Sequence, residues 1–198
     1  MRTTIIAVLA SLLIGAGAAS WIMTRQGSAT RIDASRDAVV KEMRSLGRLE
    51  TSSFSIEKII EAKKDEGGPW RDILFGDKLL LIANGEVVAG FDLTGLEEDD
   101  IQKAGAGLRV QLPAPQIFSV RLDNEKTRVY DRDQGLLTRG DKDLESEARL
   151  AAEQSIREAA CAAGILREAK ENAVKQITAL LGALGFPDSV VQGPDGSC

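Results

Sequence analysis

Apolar residues along this chain follow three patterns in turn. The first is an unbroken run: residues 3–23 (TTIIAVLASLLIGAGAASWIM) carry no charge. At ~1.5 Å per helical residue the run would span roughly 31 Å, close to a hydrocarbon core of about 30 Å. Two readings fit it. In one it is a retained single-pass helix, with Trp21 at headgroup level and Arg25 beyond. In the other only its first half is the apolar region of a secretory signal, cut after Ala16-Gly17-Ala18. Trp21-Ile22-Met23, which a signal peptide would not need, favours retention. Ala7, Ser11, Gly15 and Ala19 recur at every fourth position and would line one face, the arrangement that lets two membrane helices approach closely.

A helical period follows from Asp33, with Val39, Val40, Met43 and Leu46 on one face and Gly47 as its stop. The period then shortens to two. Residues 49–60 read as a strand with Phe54, Ile56 and Ile60 on one side, and residues 61–69 as a charged loop. In residues 78–93 (KLLLIANGEVVAGFDL), Asn84-Gly85 is the dipeptide that a two-residue type I′ turn prefers. It predicts a hairpin that pairs Ala83 with Glu86 and Leu81 with Val88. Leu80, Ile82, Val87, Ala89 and Phe91 would share one face, and apolar residues on both faces would bury the hairpin within the sheet. Residues 96–103 read as an acidic connector and residues 105–107 as a bend. Leu108, Val110 and Leu112 make a strand stopped by Pro113. Another strand runs over residues 117–123 with Phe118, Val120 and Leu122 inward, and a further one over 127–130 before a turn at 131–135.

From Asp141 the period returns to 3.6. Leu144, Ala148, Ala152, Ile156, Ala159, Ala163, Leu166, Ala173, Ile177, Leu181 and Leu184 form one stripe. Uninterrupted, it would be a helix of about 45 residues, ~67 Å long, with Gly164 as the place to bend. Residues 189–192 would close as a short strand. The fold expected is α+β: an N-terminal transmembrane helix, then a mostly antiparallel sheet packed by a long C-terminal helix bent near Gly164. Its divisions are an anchor over 1–24, a membrane-proximal helix over 25–48, the α+β domain over 49–192 and a tail over 193–198.

Composition narrows the chemistry. The chain of 198 residues has a net charge of −5 and no histidine. The acidic balance disfavours nucleic acid and a polybasic grip on lipid. The missing histidine removes the commonest general base and the usual zinc ligand. Cys161 and Cys198 lack metal-site spacing. They either pair, in an exported protein, or stand as a buried helical thiol and a free terminal one. Asp131-Arg132-Asp133-Gln134-Gly135 begins like a calcium loop, but Lys142 stands where the bidentate glutamate is needed, so a polar turn is the better reading. Gly105-Ala106-Gly107 lacks the third glycine and the lysine of a phosphate loop. Asp92 and Asp123, at strand ends, are the candidate site carboxylates, with a turn or cap role as the plainer reading. Arg109 and Arg121 are outward strand positions suited to cross-strand ion pairs. No cofactor is expected.

With these pieces in order, the soluble part resembles the domain of unknown function 4230 family. The resemblance rests on Asn84-Gly85 through Ala89-Gly90-Phe91-Asp92-Leu93, Arg109-Val110-Gln111-Leu112-Pro113 and Leu122-Asp123. It continues with Gly164-Ile165-Leu166, Ala169, Ala173, Leu184-Gly185-Phe186 and Val190. It implies a bacterial protein with one N-terminal membrane helix and no assigned activity, and it supplies no catalytic residue.

Two functional classes follow. The first is a non-enzymatic envelope protein whose anchored domain binds a partner or assembles with itself, its partners being the lipid bilayer and, through the anchor or the long helix, a second copy. The second is a carboxylate-based enzyme or a lipid- or small-molecule-binding domain, with Asp92, Asp99, Asp123 or Asp131 at a shared cleft. Orientation is read from mixed signals. Arg25, Arg31 and Arg36 after the run would favour a cytoplasmic domain. The run's place at the extreme N-terminus and its cleavage-like pattern favour export.

Overall fold

A computed structural model describes residues 36–64, 68, 73–138 and 140–198. The anchor and its small-residue face at Ala7, Ser11, Gly15 and Ala19 lie outside the described residues. Among the described residues no helix is long and apolar enough to cross a membrane. The structure is α+β, with an antiparallel main sheet and two C-terminal helices.

The element order is α1 (Arg36–Ser45), β1 (Arg48–Lys64), β2 (Asp77–Asp92), a 3₁₀ turn (Glu98–Asp100), β3 (Ile101–Ala104), β4 (Gly107–Gln111) and β5 (Gln116–Leu122). Then come β6 (Arg128–Gln134), α2 (Leu144–Ala162), α3 (Ile165–Ala183) and β7 (Val190–Gln192). β2 is the axis. β1 pairs antiparallel along its whole length, from Arg48↔Asp92 to Lys64↔Asp77. Its other edge is shared end to end by β5, opposite Gly85–Gly90, and β6, opposite Asp77–Ile82.

The expected hairpin at Asn84-Gly85 is therefore absent, and the two residues lie in the middle of one continuous 16-residue strand. The reason is phase. An unbroken strand keeps Leu79, Leu81, Ala83, Gly85, Val87, Ala89 and Phe91 on one face, and all of these are buried. A hairpin would have split that set between two faces. Gly85 has no positive φ. Its lack of a side chain serves close packing instead: a Cβ there would lie 2.7 Å from Ile156 Cδ1 and 3.0 Å from the Arg121 backbone oxygen. Asn84 meets the gap between β5 and β6, where its carbonyl accepts the Asp123 N–H at 2.8 Å. Its N–H donates to Thr127 Oγ1 at 3.2 Å.

The helices cover one face of this sheet. Leu144, Ala148, Ala152, Ile156 and Ala160 of α2, then Ile165, Leu166 and Ala169 of α3, pack on the inward residues of β2 and on Phe54, Ile56 and Ile60 of β1. The single bent helix is instead two helices. Gly164 adopts φ 82°, a left-handed conformation that ends α2 and directs the chain into α3. The alanines let the helices approach closely, which is why the glycine beneath Ile156 is required.

A second core lies at the β2 C-terminal end. Val39, Val40 and Met43 of α1 meet Phe91, Leu93, Ile101, Leu108, Val110 and Ile177 there. α1 is thus built into the second core of the domain. A small sheet, β3-β4-β7, closes this end, and its β4–β7 pair is parallel. The 193–198 tail is held as well. Cys161 and Cys198 form a disulfide, and Lys170 Nζ lies 2.7 Å from Asp195 Oδ1.

Candidate functional site

β2 sets the spacing of the candidate carboxylates. Asp92 closes the strand, Asp123 follows Leu122 opposite Gly85, and Asp131 pairs opposite Leu80. At ~3.3 Å per residue, the twelve steps from Asp92 to Leu80 spread these groups over about 40 Å. Asp99 sits in the 3₁₀ turn. Asp92, Asp123 and Asp131 therefore stand apart along β2 and share no cleft.

Each of the two leading candidates has a local task. Asp92 Oδ1 accepts from Thr94 Oγ1 at 2.6 Å and from Thr94 N–H at 3.0 Å, closing a turn. The Thr94 hydroxyl holds the Asp92 carboxyl below its ordinary value. Asp123 accepts from the Glu125 N–H at 3.0 Å and pairs with Lys126 Nζ at 3.0 Å. The Lys126 ammonium lowers the Asp123 pKa in the same way. A general acid near neutrality needs a raised carboxyl pKa, and both shifts run the other way.

Asp123 does border a groove. Around Asn84-Gly85 a depression of about 470 Å³ is lined by the polar Ser55, Glu86, Arg121, Asp123 and Lys126 and by the apolar Ile56 and Leu122. Its charges are matched within it: Arg121 lies 3.9 Å from Glu86, and Ser53 Oγ donates to Glu86 Oε1 at 2.6 Å. Such a surface can hold water and weakly bound polar groups. It presents no aligned nucleophile and base.

The deepest charge in the fold was not picked out from the sequence. Asp77, whose side chain is 1% exposed, is bound by Arg132 Nη2 at 2.6 Å and Nε at 3.1 Å. It also accepts the Asp141 N–H at 2.7 Å, while Arg132 Nη2 donates to the Asp141 carbonyl at 2.6 Å. The Arg132 guanidinium holds the Asp77 carboxyl below its ordinary value. The cluster joins the first residue of β2, the far end of β6 and the approach to α2. Residues 131–135 had suggested a turn, but Asp131–Gln134 belong to β6. Only the pairing of β6 with β2 brings Arg132 to Asp77, so no local signal could have shown it.

Beyond this ion pair the sheet ends in apolar residues. Gly135 N–H donates to the Gly76 carbonyl, and Leu137 N–H to the Leu74 carbonyl, both at 2.8 Å. These bonds set two short segments side by side. Ile73, Phe75, Leu136 and Leu137 are 57%, 41%, 82% and 64% exposed, and Leu74 is at 36%. Ile73 and Leu136 border a depression of about 460 Å³ that also touches Lys78 and Asp133.

Cys161 is not an inert core thiol: it is half-buried near the end of α2 and bonded to the C-terminal residue, 37 positions away. Among the described residues no cluster of histidine, cysteine, aspartate or glutamate could hold a metal ion. No curated protein and no solved structure matches the chain. Residues 41–191 match one family, and they span the whole of β2, both C-terminal helices and all of both cores but Val39 and Val40: the chain belongs to the family described as "Protein of unknown function (DUF4230)".

Proposed function

We propose that this protein is a non-catalytic interaction domain, tethered to a membrane by residues 3–23 and displayed on the extracytoplasmic side. The observation that carries the reading is the apolar tip formed by Ile73, Leu74, Phe75, Leu136 and Leu137. An apolar patch of a few hundred Å² is as large as the largest one on a typical monomer, and such a patch is often a functional contact surface. The rest of the chemistry supports it: the buried charge is internally paired, and the groove beside Asp123 has its charges paired within it. The Cys161–Cys198 bond supports an oxidising compartment, since such bonds persist outside the cytoplasm.

The test has two arms. Alkaline phosphatase fused after Cys198 should be active and membrane-bound, and an inactive fusion would overturn the export assignment. Extracted in mild detergent, the full chain should migrate as a complex larger than its own 21.2 kDa. A particle of one chain alone would overturn the interaction role.

A further inference from the structure

We infer that the apolar tip is a two-fold contact between copies of this chain. The inference rests on the interaction reading above and names its partner. The tip lies at the Asp77 end of β2, about 50 Å along the strand from the end where α1 packs. Two copies can therefore meet tip to tip without their α1 ends approaching.

Area is the first argument. With roughly 150–200 Å² of surface per large apolar residue, the five exposures together amount to at most about 400–550 Å². A stable interface covers about 800 Å² per partner, somewhat over half of it apolar. One tip thus supplies the apolar share of one side of such an interface. A two-fold contact needs nothing from elsewhere, because each copy offers the same patch. Leu136 and Leu137, the most exposed pair, would then cover Ile73 and Phe75 of the other copy.

Charge is the second argument. Among the described residues the rim carries both signs: Lys63, Lys64, Lys78 and Lys142 stand near Glu61, Asp133 and Asp141. A rim of one sign would repel its own copy, whereas a balanced one can face itself across a two-fold axis. The same balance argues against a lipid surface as occupant. An apolar loop that enters an anionic bilayer is helped by surrounding cations and opposed by acidic groups at the same level.

The test uses the full chain. Benzoylphenylalanine placed at position 136 and irradiated in living cells should yield a product of twice the chain mass that contains only this protein. The variant carrying Leu136→Asp and Leu137→Asp should shift the detergent-corrected mass from dimer to monomer, weakening association at least ~100-fold. Its melting temperature should hold, since both side chains are exposed. A crosslink to a different protein would overturn the assignment of a second copy and leave the interaction role standing. No crosslink to any protein, with a mass unaffected by the double substitution, would overturn both.

Discussion

Gly85→Ala tests the central packing argument, because two accounts of that glycine predict opposite signs. Were it present only as half of an Asn-Gly pair in an ordinary strand, alanine would reduce the freedom of the unfolded chain and stabilise by about 0.4–1 kcal/mol. The fold says otherwise. The added methyl would lie 2.7 Å from Ile156 Cδ1 and 3.0 Å from the Arg121 backbone oxygen. Ile156 is fully buried and β5 is held by its ladder to β2, so neither neighbour yields freely. Overpacking of this kind costs about 1–3 kcal/mol, leaving a net loss of about 1–2 kcal/mol after the entropic gain. For a chain of this size that lowers the melting temperature by about 2–8 °C. The contact atom also provides a rescue. Ile156→Val removes Cδ1 at a cost of about 1 kcal/mol by itself. Joined to Gly85→Ala it should restore most of the loss, so the double variant melts close to Ile156→Val alone. Far-UV circular dichroism melts of the four proteins close the cycle. A melting temperature raised by Gly85→Ala, or strictly additive effects, would refute close packing of α2 on β2 as the reason for this glycine.

Two further predictions follow from buried pairings. Asp77→Ala strands Arg132 and the Asp141 N–H, and should destabilise by about 2–4 kcal/mol at neutral pH. The Asp77 carboxyl is held below its ordinary 3.8, so its stabilisation is complete above that value and is lost as pH falls through the lower folded pKa. The melting gap between native and variant chains should therefore stay level from pH 7 to about 5 and close only below 3.8; a gap that closes near neutrality would contradict the pairing. Cys198→Ser opens a link across 37 residues, worth about 4 kcal/mol in the chain-entropy description and a fall of about 10 °C. Reductant should lower the native chain by the same amount and leave the variant unmoved; equal responses of the two proteins would show that the bond contributes nothing.

What could be read from the sequence was whatever one element determines by itself. Most of the apolar stripe of α2 and α3, though not Ala159 and Ala163, and an interruption at Gly164 depend on side-chain period and on one glycine, both local. β1 was legible for the same reason, although it runs four residues past Ile60 to Lys64. β2 was misread because a strong dipeptide preference competed with a longer-range regularity. The uniform apolar odd positions from Leu79 to Phe91 outweigh the turn preference of Asn84-Gly85 and make one strand of the segment. Phe118 illustrates what no single segment can reveal. A register shift between β2 and β5 turns Ile117 and Val120 onto the core and leaves Phe118 under the Arg48 guanidinium, 4.3 Å from its ring centre. β3 was missed within an acidic stretch because only its pairing with β4 makes it a strand.

The same distinction separates the carboxylates from the tip. Asp92 and Asp123 attract notice in a sequence because a lone acid at a strand end has chemical meaning, and their hydrogen bonds show that the meaning is local turn closure. The tip leaves no motif. Its two halves are about 60 positions apart, each a short apolar run indistinguishable from core, and they become one surface only because β6 returns antiparallel to the start of β2. Hydrophobic contact is non-directional and needs area rather than a set spacing of polar groups. A protein that works by presenting such an area can keep its role while every residue that looks chemically active is occupied in holding the fold. Asp77, Asp92, Asp123 and Asp141 are in that condition here, each bound to groups of the same chain.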